Sequence, residues 1–298
     1  MNLVIVGSVG LDDVKTPFGE VKSSPGGSAL YASVAASYFA KAGIVGVIGN
    51  DFPEEAKQSL IEKDINLDGL KTTEGKTFRW GGVYDDLNTA ETAFTDLNVF
   101  ADFKPVLPES YKSAEFALLG NIDPDLQIDV LNQLNEKTFV AGDTMNFWIT
   151  GKRDALSDVI KEIDILFINE EEAKIFSGKK NVFLAADYLL EFGLKALVIK
   201  QGAYGAAGFY NNKIFSVPVY PLKKVVDPTG AGDSFAGSFM GFLVANGGLT
   251  EDNFKKAMLL GTAVASFNIE SFSFEKTLGL SEKDIEDRFL KLKQMMTF

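Results

Sequence analysis

The 298-residue chain has no cysteine and no histidine. Without cysteine, disulfides, zinc–thiolate centres and thiol nucleophiles are excluded. Without histidine, Ser-His-Asp triads and imidazole metal sites are excluded, so acid–base work falls to carboxylates, lysine or tyrosine. No apolar run reaches the roughly 18 residues of a spanning helix. The segment from Met1 to Gly7 is short, lacks a basic flank, and reads as a strand rather than a signal peptide. These features predict a cytoplasmic protein with no membrane partner. Positive charge is also scarce, with 29 Lys and Arg against 41 Asp and Glu and a formal net charge of −12. No basic stripe appears, which argues against a nucleic-acid partner. What is abundant is apolar: 46% hydrophobic and 12% aromatic residues, enough for a sizeable core.

The apolar run Leu3 to Val6, ending at Gly7-Ser8, has the pattern of a buried strand in a parallel sheet. Asp12 and Asp13 follow in what reads as a loop beyond its carboxyl end, where ligands bind in open α/β sheets. Residues 14 to 24 read as an exposed hairpin, and Pro25-Gly26-Gly27-Ser28 opens a helix from Ala29 to Lys41. A buried strand is expected over Ile44 to Gly49, and an acidic amphipathic helix over 53 to 64. The stretches Thr77 to Tyr84 and Thr89 to Thr95 alternate, carry aromatics, and flank the turn-rich Asp85-Asp86-Leu87-Asn88. With 13–24 they predict a small β lid, spanning about 13–24 and 76–98. From Phe116 a βα rhythm runs onward. Strands are expected near 116–119, 138–141, 164–168, 196–200, 206–210 and 213–217, and helices near 124–134, 153–161, 169–177, 181–192, 230–246, 250–267 and 281–295. The whole reads as one α/β domain, 1–298, with an inserted lid.

The most informative stretch is Val225 to Phe235, where Asp227-Pro228-Thr229 leads through Gly230-Ala231-Gly232 to Asp233 and a helix. Amides of residues 230 to 233 at a helix start, with the helix dipole behind them, form an anion cradle. A carboxylate beside them supplies a base, and phosphoryl transfer to an alcohol needs those two things. An acid in the first turn of an ordinary helix is the plain alternative.

The string Asp227-Pro228-Thr229-Gly230-Ala231-Gly232-Asp233-Ser234-Phe235 resembles the C-terminal signature of the ribokinase-like (PfkB) carbohydrate kinases. Gly7-Ser8 with Asp12, Gly26-Gly27, Asn169-x-x-Glu172 and Lys200-Gln201-Gly202-x-x-Gly205 follow the same family's order along nearly the whole chain. The resemblance implies a doubly wound, mostly parallel sheet flanked by helices, with a β-sheet lid over the acceptor. It implies transfer of the γ-phosphoryl group of ATP to a hydroxymethyl of a small sugar, with a nucleoside as the rival acceptor and a non-catalytic binding relative as a third reading. Asp233 then corresponds to the base, kept ionised at neutral pH by the helix terminus, and Gly230, Ala231, Gly232 and Asp233 to the anion hole. Asn169 and Glu172 correspond to the phosphate and Mg²⁺ region, Glu172 reaching the metal through water. Gly202 and Gly205 match the nucleotide-phosphate loop. Lys200 departs from the family's pattern there, and either adds charge to ATP or is solvated. Asp227 corresponds to a monovalent-cation ligand, with K⁺ the expected ion. Asp143, at another strand end, is a weaker candidate for lining the cleft.

Asp12 resembles the acid that binds acceptor hydroxyls, and Gly26-Gly27 the diglycine beside it. Tyr31 and Asn121 stand where many sugar kinases carry Asn and an acid, which separates this chain from a plain ribokinase. In the lid, Phe78 and Trp80 offer faces for a sugar or base, and Arg79 offers a partner for an acceptor anion. Ordinary lid packing explains the same residues. A lid with a bare apolar face would also favour a homodimer.

Overall fold

The computed structural model describes residues 1–87 and 90–297; Asn88 and Thr89, in the expected lid turn and strand, lie outside the described residues. Its strands are β1 (Leu3–Val6), β2 (Gly10–Thr16), β3 (Gly19–Gly26), β4 (Ala42–Ile48), β5 (Asn66–Thr72), β6 (Phe78–Val83) and β7 (Glu91–Asp96). They continue with β8 (Phe116–Leu119), β9 (Phe139–Asp143), β10 (Ile165–Asn169), β11 (Ala196–Lys200), β12 (Ala206–Tyr210) and β13 (Lys213–Val217).

Nine strands make the main sheet, in the order β13-β12-β11-β10-β9-β8-β1-β4-β5. From β11 to β5 every pairing is parallel, and β12 and β13 close the other edge as an antiparallel hairpin. The parallel strands read as unbroken apolar runs because both faces are buried, and their side chains alternate between two cores. Leu3 and Ile5 enter one core with Phe167 and Val198, beneath helices Ser28–Ala36, Ala231–Ala245 and Glu251–Asn268. Val4 and Val6 enter the other with Leu166, Ile168 and Leu197, beneath helices Arg153–Glu162, Glu170–Ser177 and Val182–Leu190. This is the expected doubly wound sheet.

Three departures matter. β5 was not expected: Asp68 and Gly69 interrupt its apolar pattern, and it pairs only as an edge against β4. The first helix stops at Ala36 instead of Lys41, and β4 begins at Ala42. The lid starts earlier and ends later in its first hairpin than the expected 13–24. β2 begins at Gly10 and β3 runs to Gly26, so Asp12 and Gly26 belong to the lid rather than to loops. Its order is β3-β2-β6-β7, with β2 and β6 parallel.

Hydrogen bonds hold the lower edge of the lid, among them the Ser273 hydroxyl donating to the Pro25 carbonyl at 2.5 Å. Ser8 and Ser28 exchange amide-to-hydroxyl hydrogen bonds of 3.1 and 3.0 Å. Thr77, just before β6, donates its amide and hydroxyl to Asp51 at 2.7 Å, and its carbonyl accepts from Asn98 at 2.9 Å. The far end reaches across the cleft, where Lys224 sits 4.9 Å from the Phe18 ring. Phe18 and Leu97 are the exposed large apolar side chains among the described lid residues, and β3 and β7 are largely exposed.

Candidate active site

The floor of the cleft is the turn between Asp227 and the helix Ala231–Ala245. Gly230 holds φ +75°, and a Cβ there would lie 2.2 Å from the Tyr31 ring, so only glycine fits this turn. The turn is closed by the Thr229 amide donating to Asp227 Oδ1 at 2.9 Å and the Ala231 amide donating to the Pro228 carbonyl at 3.2 Å. One expectation is corrected here. The Ala231 N–H is consumed by the turn, which leaves the amides of Gly230 and Gly232 as the free donors of the cradle among the described residues. The Asp233 N–H lies toward its own carboxylate.

Asp233 also differs from expectation in charge. Burial, followed by the nearby charge of Asp143, raises its carboxyl from 3.8 to about 7, while Lys200 and its own amide pull the other way. The helix terminus alone does not keep it ionised. Lys200, at the end of β11, donates to Asp143 Oδ2 at the end of β9 at 2.6 Å. Their side chains are only 19% and 6% exposed, so Lys200 is not a solvated surface lysine. A Cβ on Gly232 would lie 2.9 Å from Lys200 Nζ, which puts this cation directly against the anion-hole turn. Burial opposes its charge, but Asp143, Glu172 and Asp233 together raise its pKa.

On the nucleotide side, Asn169 and Glu172 form a reciprocal capping box. Each side-chain oxygen accepts from the other's backbone amide at 2.8 Å, which explains why these two types open this helix. Glu172 is buried and raised to about 7, by burial first and then Asp143, with Lys200 opposing. Gly202 and Gly205 shape a short turn after β11, with φ of +55° and +93°, closed by the Gln201 amide on the Gly205 carbonyl.

Asp12 hangs from the lid as the roof. It is buried and accepts from the Gly27 amide; its carboxyl is raised to about 8 by burial, then by Asp227 and Asp233. Gly26 is required there, because a Cβ would fall 2.0 Å from Asp12 Oδ2. Tyr31 is buried beneath the turn, edge-on to Phe274 at 5.8 Å, with Asp12, Asp227 and Asp233 around it. In the β2–β6 register Asp12 pairs with Trp80, so both project from one face of the lid. The Trp80 indole lies over Gly82 and donates to Thr92 at 3.3 Å. Phe78 instead packs at the lid base against Phe100, 5.4 Å between centroids. Arg79 points to the other face, where Asp13 Oδ1 at 2.9 Å and Ser23 at 2.6 Å hold it. Asn121 is engaged by the main body: its carbonyl accepts from the Trp148 indole at 2.9 Å, and its amide faces Met145 Sδ at 3.1 Å.

Asp227 is 1% exposed, and its Oδ2 has no hydrogen-bond partner. Asn268 Oδ1 is equally orphaned, while its amide donates to the Thr229 carbonyl at 2.7 Å. Two unpaired buried oxygens therefore belong to residues hydrogen-bonded to Thr229. Two contributors escaped the sequence reading. Tyr84 accepts from the Thr229 hydroxyl at 3.1 Å, tying the lid to this turn, and Asn268 lies far along the chain. Only the strand-end position of Tyr84 hinted at its role.

Comparison with known proteins identifies the family. A model of the pfkB family carbohydrate kinases matches residues 4–277. The chain is 33% identical over 246 residues to the cytidine kinase of Thermococcus kodakarensis, covering 80% of this chain and 87% of that one. The solved nucleoside kinase of Methanocaldococcus jannaschii superposes with a TM-score of 0.78 at 23% identity, covering 98% and 99%. The ribokinase of Arabidopsis thaliana, solved with ribose and ATP, gives 0.77 at 19%, covering 97% and 98%. Family model, fold and motif order coincide: the chain belongs to the pfkB family of carbohydrate kinases and is an ATP-dependent phosphotransferase.

Proposed function

We propose that the protein is an ATP-dependent nucleoside kinase that phosphorylates the primary hydroxyl of the ribose moiety, with a pyrimidine nucleoside as the preferred acceptor. The observation that carries this reading is the shared lid face of Asp12 and Trp80. A carboxyl group hydrogen-bonds vicinal ribose hydroxyls in either charge state, and an indole beside it stacks on a base that a free sugar lacks. Similarity to a cytidine kinase supports the same choice. A free pentose is the second reading, favoured by the ribokinases that share this fold.

In this reading the acceptor lies between the lid and the Gly230–Asp233 turn. Its hydroxymethyl oxygen attacks the γ-phosphorus, the bond from phosphorus to the ADP oxygen breaks, and the proton passes to Asp233. Free amides of the turn meet the charge that develops on the transferring group. Mg²⁺, when bound, neutralises phosphate charge; the unshared Glu172 oxygen fits a water-mediated ligand, since Mg²⁺ retains most of its waters. For K⁺ the orphaned oxygens of Asp227 and Asn268 fit, and such an ion would steady the turn.

The test is a screen of cytidine, uridine, adenosine, inosine and ribose with MgATP, with identification of the monophosphate formed. A nucleoside kinase gives kcat/KM for its best nucleoside at least about 100-fold above ribose, the scale of a lost stacking and hydrogen-bonding set. Ribose turned over as well as any nucleoside would return the assignment to a sugar kinase. Asp233→Asn should lower kcat by about 10²–10⁴.

A further inference from the structure

We propose that the Lys200–Asp143 ion pair is a positioning device that sets the charge state of Asp233, with Lys200 as the cation and Asp143 as the anchor that holds it against the Gly232 turn. This rests on Asp233 being the base.

The geometry is specific. Lys200 closes β11 and Asp143 closes β9, so their 2.6 Å contact bridges the carboxyl end of the intervening β10. Lys200 Nζ comes within 2.9 Å of the place a Gly232 side chain would occupy, and Gly232 directly precedes Asp233. The lysine therefore spends its charge within the site, instead of extending into solvent.

The groups around Asp233 come from every wall of the cleft. Asp143 comes from β9, Lys200 from β11, Asp12 from β2, Tyr31 from the helix Ser28–Ala36, and Tyr84 from the segment after β6. Glu172 faces Lys200 from the helix after β10. Of these groups only Lys200 is a cation. Without it, burial and like charges would leave Asp233 protonated at neutral pH, unable to take a proton from a hydroxyl.

Asp143 acts twice, and this gives the test its sign. It anchors the cation that favours ionised Asp233, and its own charge disfavours that form; asparagine keeps an oxygen to hold Lys200 and removes only the charge. The two halves of one ion pair therefore push Asp233 in opposite directions. A pair that served only to brace β9 against β11 would respond identically to loss of either partner.

The experiment is an NMR titration of the ligand-free full-length protein carrying ¹³C-labelled aspartate carboxyls, the Asp233 signal being assigned by its loss in Asp233→Asn. Lys200→Met should move the Asp233 midpoint up by about one unit or more, the usual effect of a close charge. Asp143→Asn should move it down by a similar amount, and Lys200→Arg should leave it within a few tenths. Midpoints that shift in the same direction in Lys200→Met and Asp143→Asn, or that do not shift, would overturn the proposal. Should Lys200→Met fail to fold, the near-isosteric Asp143→Asn decides alone, because an upward or absent shift contradicts the sign. Phosphorylation by Asp233→Asn at the parent rate would instead remove the base assignment and leave the measured electrostatics intact.

Discussion

Asp12→Asn should make the ligand-free protein more stable in mild alkali. Asp12 is buried under the lid, and its carboxyl is raised from 3.8 to about 8 by burial, Asp227 and Asp233. A carboxyl whose pKa is higher in the folded than in the unfolded chain binds its proton more tightly when folded. Its stabilising contribution is complete below about pH 4 and is lost as pH rises through about 8. Each unit is worth about 1.4 kcal/mol, so four units give on the order of 5 kcal/mol, and relaxation around the ionised group brings that to a few. Asparagine keeps the shape and can accept from the Gly27 amide, yet never ionises. At this chain length 1 kcal/mol moves Tm by about 2 °C. Thermal melts should therefore show the parent falling between pH 5 and pH 8.5 more steeply than the variant. The variant should stand roughly 4–8 °C higher at pH 8.5, with the gap narrowing at pH 5 and closing toward pH 4. Parallel curves, or a variant less stable at pH 8.5, would refute the reasoning. Acceptor turnover should be lost in the same variant, a trade of activity for stability common at functional sites.

Tyr84→Phe removes the hydrogen bond between the lid and the Thr229 hydroxyl, worth about 1 kcal/mol, so kcat/KM for the acceptor should fall about fivefold. A loss beyond about 100-fold would place Tyr84 in the chemical step instead. Replacing NaCl by KCl should raise both Tm and turnover through the orphaned oxygens of Asp227 and Asn268, and Asp227→Asn should abolish that difference. Identical behaviour in the two salts would dispose of the cation site.

The main sheet could be read from the chain because its strands are buried on both faces and announce themselves as apolar runs. β5 could not, since Asp68 and Gly69 break the run at a half-exposed edge. The Gly230–Asp233 turn was equally legible, as glycine at +75° and a closely packed Tyr31 leave few alternatives. Lys200 shows the limit of such reading. Its partner Asp143 lies 57 residues away and meets it only because β9 and β11 flank β10. At Asp233 local sequence reveals the helix dipole, but the burial that raises its carboxyl, and after it the charge of Asp143, arrive through the tertiary fold. Asp12 was recognised by type but assigned to a loop, because the bulge between Asp12 and Val14 blurs the alternation of β2.

The attachments at the lower edge of the lid carry a mechanical consequence. A sheet held along that edge, at Ser8–Ser28, Pro25 and Thr77, would move most easily by rotation about it. The displacement at any residue then grows with its distance from that axle. Near the axle, Gly10 and Phe78 travel little; at the far ends of β2 and β6, Thr16 and Tyr84 sweep the widest arc. The lid is thus a lever whose far end meets the body through the Tyr84–Thr229 hydrogen bond and the Lys224–Phe18 contact. A spectroscopic label near Tyr84 would read the full stroke, while one at Thr77 would stay silent.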